Sequence, residues 1–179
     1  MAAFDRDTDP AEDRALRLLQ LSPVTLFHRP AALAETTTWL AGRGYQVVTL
    51  PAGTWTDEAD LHRDVARLLH FPAYYGRNLD ALHDCLRDVV EQAYGWDSQA
   101  TGLVVVLFGF DAFARLRPTS ARVLLDLLAQ HSREASLLGG RLLTLLQSDD
   151  PEVRFARVGG SDVAWNDPEW PAARRRGDA

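Results

Sequence analysis

Helices covering both faces of a parallel β-sheet, an α/β fold, are what the sequence predicts, and three observations predict it. Two apolar runs of strand length, Leu103 to Phe108 and Leu142 to Leu146, lack regular polar alternation, as expected of strands buried on both faces. Strand-like and helix-like patterns alternate along most of the chain, which gives βα units and a sheet packed by helices. The 179 residues suit one domain with appendages. Three core strands are expected, Tyr45 to Leu50, Leu103 to Phe108 and Leu142 to Leu146, with Val24 to Phe27 and its helix forming an extra N-terminal βα unit.

Asp9, Pro10 and Glu12 read as N-cap, first helical residue and capping-box acid of a short helix running to about Leu21. After the strand at Val24 to Phe27, Pro30 to Ala41 is helical and stops at Gly42 and Gly44. Pro51 to Gly53 breaks the strand Tyr45 to Leu50. Thr56 can cap a helix on which Leu61, Val65, Leu68 and Leu69 recur at helical spacing, with Asp57, Glu58 and Asp60 in the first turn, where the macrodipole favours acids. Asn78 caps a helix running to about Ala93, and Ser120 to Leu138 is a long amphipathic helix stopped by Gly139 and Gly140. Val153 to Val158 is read as an edge strand, followed by a fraying tail that contains Arg174 to Arg176.

The composition excludes several chemistries. All 19 basic residues are Arg, so a Schiff-base lysine, a P-loop lysine and a Ser-Lys pair are unavailable. The net charge of -6 argues against nucleic-acid and anionic-membrane partners, both of which attract basic surfaces. The single cysteine, Cys85, forms no internal disulfide, and Met1 to Arg14, with five acids and two arginines, does not read as a signal peptide. A cytoplasmic protein is the expectation.

The charge is concentrated in one place. Trp55 to Glu91 holds eight acids against four arginines, a net of -4. At about 100° per residue, Leu79, Leu82, Leu86, Val89 and Val90 share one side of the helix after Asn78, while Asp80, Asp84, Asp88 and Glu91 line another. Acids four apart on a helix repel by a few tenths of a kcal/mol. The stripe fits a solvated helix face, with Arg87 softening the repulsion, and it also fits a docking surface for a cationic partner. Tyr74, Tyr75, Asn78 and His83 stand nearby, residue types that serve both packing and interface anchoring.

Asp60-Leu61-His62, Pro72, Tyr74-Tyr75-Gly76, Asn78-Leu79-Asp80-Ala81-Leu82 and Asp84-Cys85-Leu86 follow the order and spacing of the barstar family, and the string YYGRNLDALHDCL is specific. From about Tyr45 to Ser148 the chain resembles these intracellular inhibitors of small secreted microbial ribonucleases. The resemblance implies a barstar-like three-stranded parallel sheet packed by helices, no cofactor and no catalysis. It implies a small basic ribonuclease as partner, with the helix after Asn78 and the loop before it plugging the enzyme's active site and carboxylates replacing RNA phosphates. Asp84 matches the central acid and Asp80 a second one, with Tyr74, Gly76, Asn78 and Leu79 beside them; His83, Arg87 and Asp88 complete the candidate partner-binding set. His83 stands where the family often has Trp, and Glu134 comes close to matching a further acid on the later helix. The division that follows is an N-terminal extension (1–44), a barstar-like domain (45–148) and a partly flexible C-terminal extension (149–179). The other reading is an interaction module of the same fold with a non-ribonuclease partner.

No other motif carries chemistry. His83 and Cys85 are two apart on a helix and do not face each other, so a thiol nucleophile is not assembled there. His62 with His70, or Asp80 with Asp84, match no metal-ligand spacing, and the glycine pairs form no phosphate cradle.

Overall fold

Successive residues of the strand Gly102–Leu107 enter different cores: Val104 and Val106 face one side of the sheet, Leu103, Val105 and Leu107 the other. That period of two, with both sides covered, is why the run is continuously apolar. The structure, a computed structural model, describes residues 14–166 and residue 169. Its strands are β1 (Val24–Phe27), β2 (Tyr45–Leu50), β3 (Gly102–Leu107), β4 (Leu142–Gln147) and β5 (Ala164–Trp165). They form one sheet in the order β2-β3-β4-β1-β5, and every pairing is parallel. β2, β3 and β4 are the expected three-stranded core. β1 adds to β4, with Val24 opposite Thr144 and Phe27 opposite Gln147.

The helices are α1 (Arg14–Leu21), α2 (Pro30–Gly42), α3 (Glu58–Leu68), α4 (Leu79–Val90), α5 (Phe110–Leu116) and α6 (Pro118–Leu137). Ala15 and Leu18 of α1 and Leu33 and Leu40 of α2 pack with Phe27, Tyr45, Val104 and Leu143 on one face. α3 to α6 bury Leu61, Leu82, Leu86, Phe113 and Leu124 against the other. Trp55, just before α3, is fully buried, edge-on to Phe113 with ring centroids 5.2 Å apart, and its indole N–H donates to Asp64 Oδ2 at 2.9 Å. A buried Trp contributes about 3–5 kcal/mol relative to Ala, enough to fix the entry of α3.

Several expectations change. The cap of α3 is Asp57, whose carboxylate accepts from Asp60 N at 3.1 Å. Thr56 instead donates its N–H and hydroxyl to Asp60 Oδ2, each at 2.9 Å, which ties the residue before the cap to the first turn. α6 begins at Pro118, whose missing N–H costs nothing in a first turn. The preceding α5, which was not anticipated, is a separate short helix ending just before Arg117 and Pro118.

The other changes concern the C-terminal segment. Val153 to Val158 forms no edge strand: Val153, Phe155 and Val158 pack on the core, Phe155 with its ring 5.7 Å from that of Phe110, so the alternating pattern is satisfied on helices. The segment that does join the sheet is β5, with Thr25 opposite Ala164 and Leu26 opposite Trp165. Beyond it Asn166 N donates to Leu26 O at 2.8 Å, and the buried Glu169 carboxylate accepts from His28 N at 3.1 Å and Arg29 N at 2.9 Å, capping α2 from across the fold. The described part of the expected fraying tail is therefore docked; Arg174 to Arg176, and the N-cap reading of Asp9, Pro10 and Glu12, lie outside the described residues.

Candidate interaction site

The two consecutive tyrosines before α4 have opposite roles. Tyr75 is buried, its hydroxyl 2.5 Å from His62 Nδ1 on α3 and its ring edge-on to Phe71 at 4.9 Å. Its N–H closes a turn onto Pro72 O at 3.0 Å. Tyr74 is 79% exposed. One tyrosine anchors the loop to α3 and the other is left on the surface. Burial pushes His62 below the usual histidine range, against the opposing pull of Glu58, so the anchor is a neutral imidazole.

Arg77 follows with φ of 50°, a left-handed conformation uncommon outside glycine, and turns the chain into α4. Asn78 Oδ1 then accepts from Ala81 N at 2.8 Å, the predicted N-cap. Beyond the cap, Leu82, Cys85, Leu86, Val89 and Val90 are buried, with Leu79 at the margin. Burial pushes the Cys85 thiol up, as suits a core residue rather than a nucleophile.

The acidic stripe divides into free and engaged carboxylates. Asp80 and Asp84 are exposed, Asp84 by 73%. Arg87, itself 51% exposed, approaches Asp84 at 3.6 Å, a loose surface pair. Asp88 is half-buried and accepts from Tyr94 OH at 2.9 Å, and Glu91 has left the helix as its C-cap. The loop after α4 is pinned from β2: Gln46 Nε2 donates to Gly95 O at 2.9 Å and Gln46 Oε1 accepts from Asp97 N at 2.7 Å. Gly95 is obligatory, with φ of 73° and Leu69 O 2.3 Å from where a Cβ would stand.

A family model described as Barstar (barnase inhibitor) matches residues 45–147, more than half of the chain. The chain belongs to the barstar family. A stretch of 50 residues is 48% identical to the protein of Bacillus subtilis (strain 168) named "Putative ribonuclease inhibitor YrdF", covering 28% of this chain and 47% of that protein. The chain thus matches about half of that relative's length.

This barstar-family chain also carries, beside the acidic face, a group that the sequence showed only in fragments. His83 is half-buried at the seam of α4 and α6, its ring 5.1 Å from that of His131. Gln130 Nε2 lies 3.2 Å from His83 Nε2 and donates to Glu134 Oε1 at 2.8 Å, while Glu134 Oε2 is 2.6 Å from His131 Nδ1. His131 is completely buried, and burial lowers its pKa despite the pull of Glu134. Burial would raise Glu134, but the Gln130 amide and His131 outweigh it and hold the carboxyl below its usual range. Both Glu134 oxygens thus lie against residues of its own helix, Oε1 as a hydrogen-bond acceptor and Oε2 in contact with His131. Gln130 and His131 were missed; the spacings of three and four residues to Glu134 on an amphipathic helix were the available signal.

Among the described residues no group of three or more His, Cys, Asp or Glu could hold a metal ion, and no helix is long and apolar enough to cross a membrane.

Proposed function

We propose that the chain is a non-catalytic inhibitor of a small basic ribonuclease, which it meets in the cytoplasm and whose active site it blocks with α4 and the loop before it. Asp84 and Asp80 stand in for RNA phosphates; Tyr74, Gly76, Asn78, Leu79 and His83 shape the contact, with Arg87 and Asp88 at its margin. The observation that carries this reading is the pair of exposed carboxylates one helical turn apart, on a helix whose start is capped and whose loop is tied to α3. Such an arrangement steers a cationic partner electrostatically and binds with little reorganisation. The family and the name of the relative support the same reading.

The test is inhibition of a panel of small basic microbial ribonucleases by micromolar protein at low and physiological salt. Stoichiometric loss of activity of at least one enzyme, weakening as salt rises, is the expected result. Full activity of every enzyme alongside specific binding of a different basic protein would favour the interaction-module reading.

A further inference from the structure

Between α4 and α6, one amide decides the chemistry of a histidine on the acidic face. A carboxylate held ionised only accepts hydrogen bonds, so the Gln130 nitrogen 2.8 Å from Glu134 Oε1 is a donor, which fixes which way the amide is turned. The same nitrogen lies 3.2 Å from His83 Nε2. With its first hydrogen on Glu134, it offers its second to that ring nitrogen, which must then be an acceptor. The neutral His83 ring therefore carries its proton on Nδ1. No hydrogen bond to His83 Nδ1 occurs among the described residues, and the ring is only half-buried.

We infer that Gln130 is a positioning residue for the interaction site: it locks His83 as the Nδ1–H tautomer, so that the α4 face offers its partner one neutral N–H donor beside the carboxylates of Asp80 and Asp84. This rests on the proposed function only in taking this face as the binding face. Its consequence is for partner choice. The carboxylates accept cationic groups of any geometry, whereas a fixed N–H selects a partner with an acceptor oxygen, a main-chain carbonyl or a carboxylate, opposite His83. A guanidinium or ammonium in that place would meet a donor with no acceptor between them and be disfavoured.

Gln130 does not touch the partner in this scheme, so the decisive measurement is spectroscopic. In ¹⁵N-labelled protein at about pH 8, where an ordinary imidazole is neutral, long-range ¹H–¹⁵N correlations distinguish the tautomers. The expected result is Nδ1–H for His83 in the unaltered chain and a mixture in Gln130→Met, or in Gln130→Leu if the Met variant does not fold. Against a ribonuclease that the unaltered chain inhibits, Gln130→Met should weaken binding roughly three- to tenfold, the value of one neutral hydrogen bond. In a His83→Ala background it should have no further effect. An Nε2–H ring in the unaltered chain, a tautomer indifferent to Gln130→Met, or an equal loss of affinity in both backgrounds overturns the inference. If no ribonuclease on the panel is inhibited, the proposed function falls, while the tautomer measurement on the free protein still decides whether Gln130 fixes the His83 ring.

Discussion

Carboxylates are used in two contrasting ways in this molecule. On α4, Asp80 and Asp84 face solvent and Asp84 has only a loose arginine beside it. Where the sheet meets the start of α2 and α5, Glu169 and Asp111 are buried and each has partners within the fold. Glu169 accepts from two backbone N–H groups and from Arg29 Nε at 3.1 Å, and Asp111 meets Arg115 at 2.8 Å and Asp149 N at 3.2 Å. Both buried acids are paired with an arginine and a backbone N–H of the fold, because an unpaired charge there would be costly. Exposed acids at helical spacing cost a little repulsion, offset at Asp80 by its first-turn position and at Asp84 by the loose arginine, and on the proposed reading they serve a partner rather than the fold. Net charge does not separate the two classes; burial and partners do.

The contrast breaks most sharply at Asp84. Asp84→Ala should leave urea unfolding within about 0.5 kcal/mol of the unaltered chain. Its loss from a ribonuclease complex should cost about 2–5 kcal/mol, since a cation is left buried without its partner. Titration calorimetry or inhibition kinetics measures it. Glu152→Ala is the matched control, an exposed acid away from α4; equal losses for the two would remove the site. Asp126 would be a poor control, because its carboxylate accepts from Gly159 N at 2.8 Å and so holds the C-terminal segment.

Glu169 reverses the pattern. Glu169→Ala removes the acceptor of the His28 and Arg29 N–H groups and should destabilise the fold by about 1–3 kcal/mol, with binding by the folded fraction unchanged. A fall in the urea midpoint without a change in inhibition constant is the expected pair of results. A loss of inhibition at unchanged stability would mean that the capped end of α2 reaches the partner.

How much of this could be read beforehand follows from the range of the interactions. β2 and the cap at Asn78 were legible to the residue, because apolar runs and N-caps are local signals. The rotation of α4 was legible too, since 100° per residue separates Leu82 and Leu86 from Asp80 and Asp84 without reference to any other element. What escaped was long-range. Glu169 caps a helix 140 residues earlier, β5 pairs with a strand whose position in the sheet no local pattern gives, and Gln130 meets His83 across 47 residues. The split within the acidic stripe escaped for a different reason: Tyr94 is only six residues from Asp88, but it lies in a loop that helical periodicity does not place.

The smallest expected effects come from Tyr74 and Tyr75, and they sharpen the comparison within a single dipeptide. Tyr75→Phe keeps the ring against Phe71 and removes only the hydroxyl beside His62, so it should cost about 1 kcal/mol of stability. Because the loop is then less firmly tied to α3, binding should weaken slightly, as a faster dissociation rate rather than a slower association. Tyr74→Ala should do the converse. With 79% of its surface exposed it has little packing to lose, and its unfolding curve should overlay that of the unaltered chain, while an aromatic anchor of the proposed interface disappears. Stability and binding measured on both variants form a two-by-two test. If Tyr74→Ala destabilises the fold or leaves binding untouched, the exposed member of the pair is not a contact, and the site contracts to the face of α4.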